Sequence, residues 1–179
     1  MTYVTPHQTV GPYWHLLESP SWSDLLRPGG PNAGAAGEGI ILTGTITDGD
    51  GRAVTDAMVE VWQADSTGRY DAAFQGFGRC RTDAEGRFRF TTIRPGPVPG
   101  RGNALQAPHI QLTIFARGLL THLTTRAYFD GEALNAADPL LALVEPHRRQ
   151  TLLAQEAAPG EWLLDIALQG PNETVFLDV

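Results

Sequence analysis

Along much of the chain, apolar residues recur at every second position. Ile110, Leu112 and Ile114 alternate with His109, Gln111 and Thr113. A strand repeats its side-chain direction every two residues, so the aliphatic trio takes one face and His109 with Gln111 the other. Ile40, Leu42 and Ile46 alternate with Ile41, Thr43, Thr45 and Thr47, and Ala57, Val59 and Val61 with Met58, Glu60 and Trp62. Phe88 and Phe90 stand between Arg87 and Arg89, and Leu123, Thr125, Ala127 and Phe129 alternate with His122, Thr124, Arg126 and Tyr128. Trp162, Leu164, Ile166 and Leu168 share a face, and Thr174-Val175-Phe176-Leu177 reads as a closing strand. Turn signals at Asp48-Gly49-Asp50-Gly51 and Asp83-Ala84-Glu85-Gly86 separate these segments. The pattern predicts an all-β fold, an antiparallel β-sandwich with long loops.

Three stretches break the alternation. Residues 1–18 carry Tyr3, Val10, Tyr13, Trp14, Leu16 and Leu17 without a period, which suits an N-terminal arm that packs on its own domain or on a partner. Residues 19–39 are a Gly- and Pro-rich loop. A short helical insertion is predicted near 138–155, interrupted by Pro146. Residues 19–179 read as a single sandwich domain, with no repeats.

Composition adds exclusions. The 179 residues are 42% hydrophobic and 18% charged, ordinary for a globular protein, and Gly 20 with Pro 13 fits a fold of many turns. A net charge of −7 without a basic stripe argues against nucleic acid or a membrane surface as partner. Cys80 is the single cysteine, so no internal disulfide forms and a reducing compartment fits. The N-terminus lacks a basic region followed by an apolar run, and no stretch of about 18 apolar residues is present. The expected location is cytoplasmic.

The candidate chemistry starts at His109. A His-x-His pair on a strand aims two imidazoles at one point, as a metal site needs, but the second position is Gln111, whose neutral amide is a poor ligand. Gly11-Pro12 offers backbone that can approach a ligand without a Cβ in the way, or is a simple turn. His7, His15, His122 and His147 show no metal-like spacing and read as surface or packing residues. Cys80 reads as a packing residue. Trp14, Trp22, Trp62 and Trp162 read as core or subunit-interface anchors.

The order of Thr9-Val10-Gly11-Pro12-Tyr13, Val59-Glu60-Val61-Trp62-Gln63-Ala64, Thr82-Asp83-Ala84-Glu85-Gly86-Arg87-Phe88, Arg94-Pro95-Gly96-Pro97, Ala107-Pro108-His109-Ile110 and Gly170-Pro171-Asn172-Glu173-Thr174-Val175-Phe176 is distinctive. Over nearly its whole length the chain resembles the intradiol ring-cleavage dioxygenases. The resemblance implies a prealbumin- or immunoglobulin-like sandwich. Catalytic chains of that family hold ferric iron with two tyrosinates and two histidines. Here Val98 follows Pro95-Gly96-Pro97 where one tyrosine is expected, Gln111 replaces the second histidine, and Gln106 replaces an arginine. Tyr70 matches a tyrosine that is not a ligand.

The resemblance therefore implies the iron-free alpha-type member of a heteromeric enzyme. Its partner would be a homologous beta subunit carrying Fe(III), the substrates protocatechuate and O₂, and the assembly a symmetric set of alpha–beta pairs. Thr9, Gly11, Pro12, Tyr13 and Arg117 match the alpha-side positions lining the substrate cavity, and no residue of this chain is catalytic or metal-ligating. Two other readings stay open at this point: a non-catalytic prealbumin-like binding module, and a self-contained iron enzyme with altered ligands.

Overall fold

The computed structural model describes residues 11, 14–70, 73–100, 102 and 104–178. Its strands are β1 (Gly39–Thr47), β2 (Met58–Trp62), β3 (Phe77–Arg81), β4 (Arg87–Ile93), β5 (Val98–Pro99), β6 (Leu105–Gln106), β7 (His109–Phe115), β8 (Leu123–Phe129), β9 (Leu153–Ala158), β10 (Glu161–Leu163) and β11 (Ile166–Ala167). Nine of them form one hydrogen-bonded network, and β5 pairs with β6 apart from it. No helix among the described residues is long and apolar enough to cross a membrane.

The alternation holds where it was strongest. In β7, Ile110, Leu112 and Ile114 are buried and Gln111 and Thr113 half-exposed, and β1 and β4 alternate in the same way. These inner residues meet Val59, Val61, Phe129, Trp162, Leu164 and Ile166 in one core. Fully burying each such side chain is worth about 1.5–3 kcal/mol, which is what holds the register against a one-residue slip.

The purely antiparallel expectation is corrected. β1 pairs antiparallel with β4 but parallel with β10 and β11, and β8 pairs parallel with β9. The β9–β10 hairpin lies between β8 and β1 and joins what would otherwise be separate sheets. A closing strand over residues 174–177 is also corrected: a single bridge links Thr124 and Leu177.

The helical insertion is 3₁₀ rather than α-helical. It comprises Ala133–Ala137, Leu141–Leu143 and Pro146–Leu152, while Leu153, Ala154 and Gln155 already belong to β9. Pro139 and Pro146 lack the N–H that a continuous α-helix requires, so the run breaks into single turns. Leu141 and Leu152 from this insertion pack with Ala107 and Tyr128 in a second, smaller core. It covers one end of the outer sheet face, so Tyr128 is buried although it points away from the main core.

One local device recurs in three copies, of which the sequence reading named two as turns. Asp48, Asp65 and Asp83 each begin an Asp-x-x-Gly-Arg turn. In each, the Asp Oδ1 accepts the amide N–H groups two and four residues on, and the glycine has a positive φ of 75–81°. The Asp65 turn carries a further duty, because Asp65 O accepts the Gly96 N–H at 2.9 Å and so seats Arg94-Pro95-Gly96-Pro97. Arg94 itself pairs with Glu132 at 3.1 Å and lies 4.3 Å above the Phe129 ring.

Candidate functional site

The metal-like strand ends in a buried polar network. His109 is 3% exposed and stands opposite Tyr128, with ring centroids 5.6 Å apart. Its Nδ1 lies 2.7 Å from Ala107 O. A carbonyl can only accept, so Nδ1 carries the proton. Asp138, 1% exposed, accepts from Ala107 N at 2.8 Å, Tyr128 Oη at 3.2 Å, and Leu140 N and Leu141 N, each at 2.9 Å. Arg126 Nη1 donates to Gln106 Oε1 at 2.8 Å and to Tyr128 Oη at 3.2 Å. The Nε of Arg126 is buried with no partner among the described residues.

Burial and then the positive charge of Arg126 lower the His109 pKa to about 4, against the pull of Ala107 O and Asp138. Burial raises Tyr128 to about 12. His109 is therefore neutral in the fold at neutral pH. Below about pH 6.5 the unfolded chain takes up a proton at this position that the folded chain refuses until about pH 4. His109 thus favours folding fully above that window and subtracts stability as pH falls through it, by on the order of 3 kcal/mol. Urea unfolding at pH 7 and pH 4.5 should show a smaller loss for His109→Gln than for the wild type. Equal losses would remove His109 as the source.

The ligand-type positions do gather. Val98 pairs with Gln106, Gln106 holds Arg126, and Arg126 stands opposite Gln111, which stands opposite Trp62. Tyr70 stacks on Trp62 at 5.7 Å and so lies beside this group, near enough for the Arg126 charge to act on its hydroxyl. The donors do not fit ferric iron. Val98 has none, Gln111 offers a neutral amide, and His109 alone cannot balance a trivalent charge that calls for anionic oxygen. Among the described residues no group of three His, Cys, Asp or Glu side chains could hold a metal.

Of the positions expected to line a substrate wall, Gly11 and Arg117 are among the described residues. Thr9, Pro12 and Tyr13 fall outside the described residues. Gly11 is exposed, with φ at 76° and no atom within 4 Å of the place a Cβ would occupy. Arg117, in the turn after β7, has its side chain 84% exposed and its Nε paired with Asp56 Oδ2. Nothing described brings Gly11 and Arg117 into contact. The sequence reading missed Asp56 and Asp138. Strand register could have found the first, because extending the Met58–Phe115 pair by two residues sets Asp56 opposite Arg117.

Cys80 is buried and its thiol is pushed up to about 12, chiefly by burial, in keeping with a packing role. Trp162 is a core residue meeting Phe129 edge-on at 4.9 Å, whereas Trp62 is 46% exposed.

A family profile described as "Dioxygenase" matches residues 10–170. The protocatechuate 3,4-dioxygenase alpha chain of Burkholderia cepacia is 44% identical, over 98% of this chain and 97% of the relative. The beta chain from the same organism is 36% identical over 84% of this chain and 73% of its own length. Among solved structures, the dioxygenase domain of a dioxygenase carbohydrate-binding protein fusion from Streptomyces sp. SirexAA-E superposes with a TM-score of 0.65 at 31% identity, covering 93% of this chain and 98% of that one. With the family profile spanning residues 10–170 and 44% identity over nearly the full length of an alpha chain, this chain belongs to the intradiol dioxygenase family, beside the protocatechuate 3,4-dioxygenase alpha chains.

Proposed function

We propose that this chain is the alpha subunit of a heteromeric enzyme that opens protocatechuate between its hydroxyls with O₂, giving 3-carboxy-cis,cis-muconate. The observation that carries this is the pairing of 44% identity to an alpha chain over nearly the full length with Val98 and Gln111, neither of them a ligand for ferric iron, at the positions discussed above. The existence of a homologous beta chain supports a partner of the same fold, to which the Fe(III) is assigned. When bound there, the metal supplies catecholate chelation and O₂ chemistry. What falls to the present chain is enclosure and orientation of the substrate. A free-standing binding module would not need the arm together with the His109-to-Arg117 strand.

In this reading residues 1–18 form an arm on the partner, residues 19–179 one sandwich domain, and the enzyme a cytoplasmic, symmetric assembly of alpha–beta pairs. Thr9, Gly11, Pro12 and Tyr13 lay flat backbone and one aromatic side chain over the catechol ring. Arg117 offers an always-protonated guanidinium to the substrate carboxylate. The exposed Gly11 and Arg117 suit surfaces that a second chain would cover.

Arg117→Ala in the alpha–beta complex should lower kcat/KM while leaving iron content and colour unchanged. A lost charge-assisted hydrogen bond costs about 1.5–3 kcal/mol, or about 10- to 150-fold in kcat/KM. Steady-state kinetics with iron quantified on the same samples checks this. Unchanged kinetics would return Arg117 to an ordinary surface ion pair.

A further inference from the structure

We infer that Asp56 positions Arg117 and thereby sets how strongly the enzyme selects a carboxylated ring; this rests on the substrate-wall reading of Arg117. The two residues occupy different connections, Asp56 just before β2 and Arg117 just after β7. β2 and β7 pair antiparallel, with Met58 opposite Phe115 and Glu60 opposite Thr113. Continued past the strand ends, this register sets the turn of Asp56 across from the turn of Arg117, where their side chains meet.

The two partners are unequally held. The Asp56 side chain is 27% exposed against 84% for Arg117. The segment around Asp56 is pinned to the core from both ends. Ala57 N donates to Thr82 Oγ1 at 3.0 Å, that hydroxyl donates to Val54 O at 2.7 Å, and Thr82 N donates to Ala57 O at 3.0 Å. Ala57 and Thr82 are buried. Arg117 sits in a turn completed by Gly118 at φ 84°. The carboxylate is the fixed post and the guanidinium the group that would otherwise swing.

The geometry leaves the arginine usable. Asp56 Oδ2 pairs with Nε, the inner nitrogen of the guanidinium, and with 84% of the side chain exposed the terminal nitrogens face outward. A guanidinium held at Nε keeps its two-pronged end in a set plane, the arrangement that meets a carboxylate with two parallel bonds. The pair carries no net charge, so it does not attract anions in general. It rewards one whose oxygens lie in that plane. Without Asp56, Arg117 would meet the ligand from many rotamers and lose part of that gain.

The test is a double-mutant cycle in the alpha–beta holoenzyme, with protocatechuate as the varied substrate. Asp56→Ala should raise KM about two- to fivefold, the range of a partly exposed ion pair, with kcat and iron content little changed. Asp56→Glu should restore part of the loss, and Asp56→Asn, which keeps an acceptor of the same shape, should fall between. In an Arg117→Ala background, Asp56→Ala should add nothing, because the residue acts through the arginine. A loss that persists in that background would overturn positioning in favour of a general structural effect. So would a silent Asp56→Ala where Arg117→Ala is costly. If Arg117→Ala is itself silent, the substrate-wall reading fails and takes this inference with it. Thermal midpoints of every variant separate these outcomes from misfolding.

Discussion

Asp138→Ala should lower the thermal midpoint by about 10 °C. The carboxylate accepts hydrogen bonds from three backbone amides and the Tyr128 hydroxyl. Ala107 and Tyr128 are fully buried and Leu141 nearly so, leaving water little access to donors that lose their acceptor. Each stranded buried donor costs about 1–3 kcal/mol, so the sum reaches about 3–5 kcal/mol even with partial relaxation. In a domain of this size each kcal/mol corresponds to about 2–4 °C. Asp138→Asn keeps one acceptor but turns an NH₂ toward groups that are themselves donors, and should recover less than half. Melting followed by circular dichroism decides the matter. A shift of under about 2 °C would mean that water replaces the carboxylate at little cost.

Gly68→Ala should be comparably harmful, for steric reasons. Gly68 has φ at 81°, and an added Cβ would lie 1.8 Å from Pro97 O. A left-handed non-glycine residue alone costs about 1–2 kcal/mol. The clash cannot be relieved by a side-chain rotation, because the opposing atom is backbone. Moving it would break the bond from Gly96 N to Asp65 O. We expect a total above about 3 kcal/mol, with Arg94-Pro95-Gly96-Pro97 lifted from its seat. Gly51 supplies the control. It occupies the same position of the same turn type at φ 76°, with open space where the Cβ would go. Gly51→Ala should therefore show the conformational cost alone. Equal midpoints for the two variants would show that the Gly68–Pro97 contact yields easily.

What could be read beforehand follows from what periodicity encodes. The placement of His109 and Gln111 on one face, and of Ile110, Leu112 and Ile114 on the other, needed a single strand's pattern, and the structure bears it out. That Val98 and Gln111 are poor ligand types needed only residue identities, once the family resemblance said which positions to ask about. Pairing between distant segments leaves no such trace. The parallel contacts of β1 with β10 and of β8 with β9 depend on where a hairpin lodges, which alternation does not record. The stretch near 138–155 was expected to be helical with one interruption at Pro146, yet Pro139, Pro146 and the Asp138 carboxylate divide its first part into 3₁₀ turns and its end belongs to β9. Asp138 was legible only as the start of the expected helical stretch, because its hold on Ala107 and Tyr128 spans about 30 and 10 residues in the chain. Asp56 was legible in principle, but only once β2 and β7 were known to be neighbours.

The β9–β10 hairpin also dictates the order in which the molecule can be completed. β1 is made early, yet its second neighbour arrives with Glu161–Leu163, and its amide at Thr45 is met by Asp165, 120 residues further on. Until then one edge of β1 and the outer edge of β8 present unpaired amides and carbonyls, as exposed sheet edges do. Contacts so far apart in sequence make folding slow and leave newly made chains open to wrong strand pairing. The last quarter of the chain is thus a closure, and shortening it would leave two adhesive edges on an otherwise formed core.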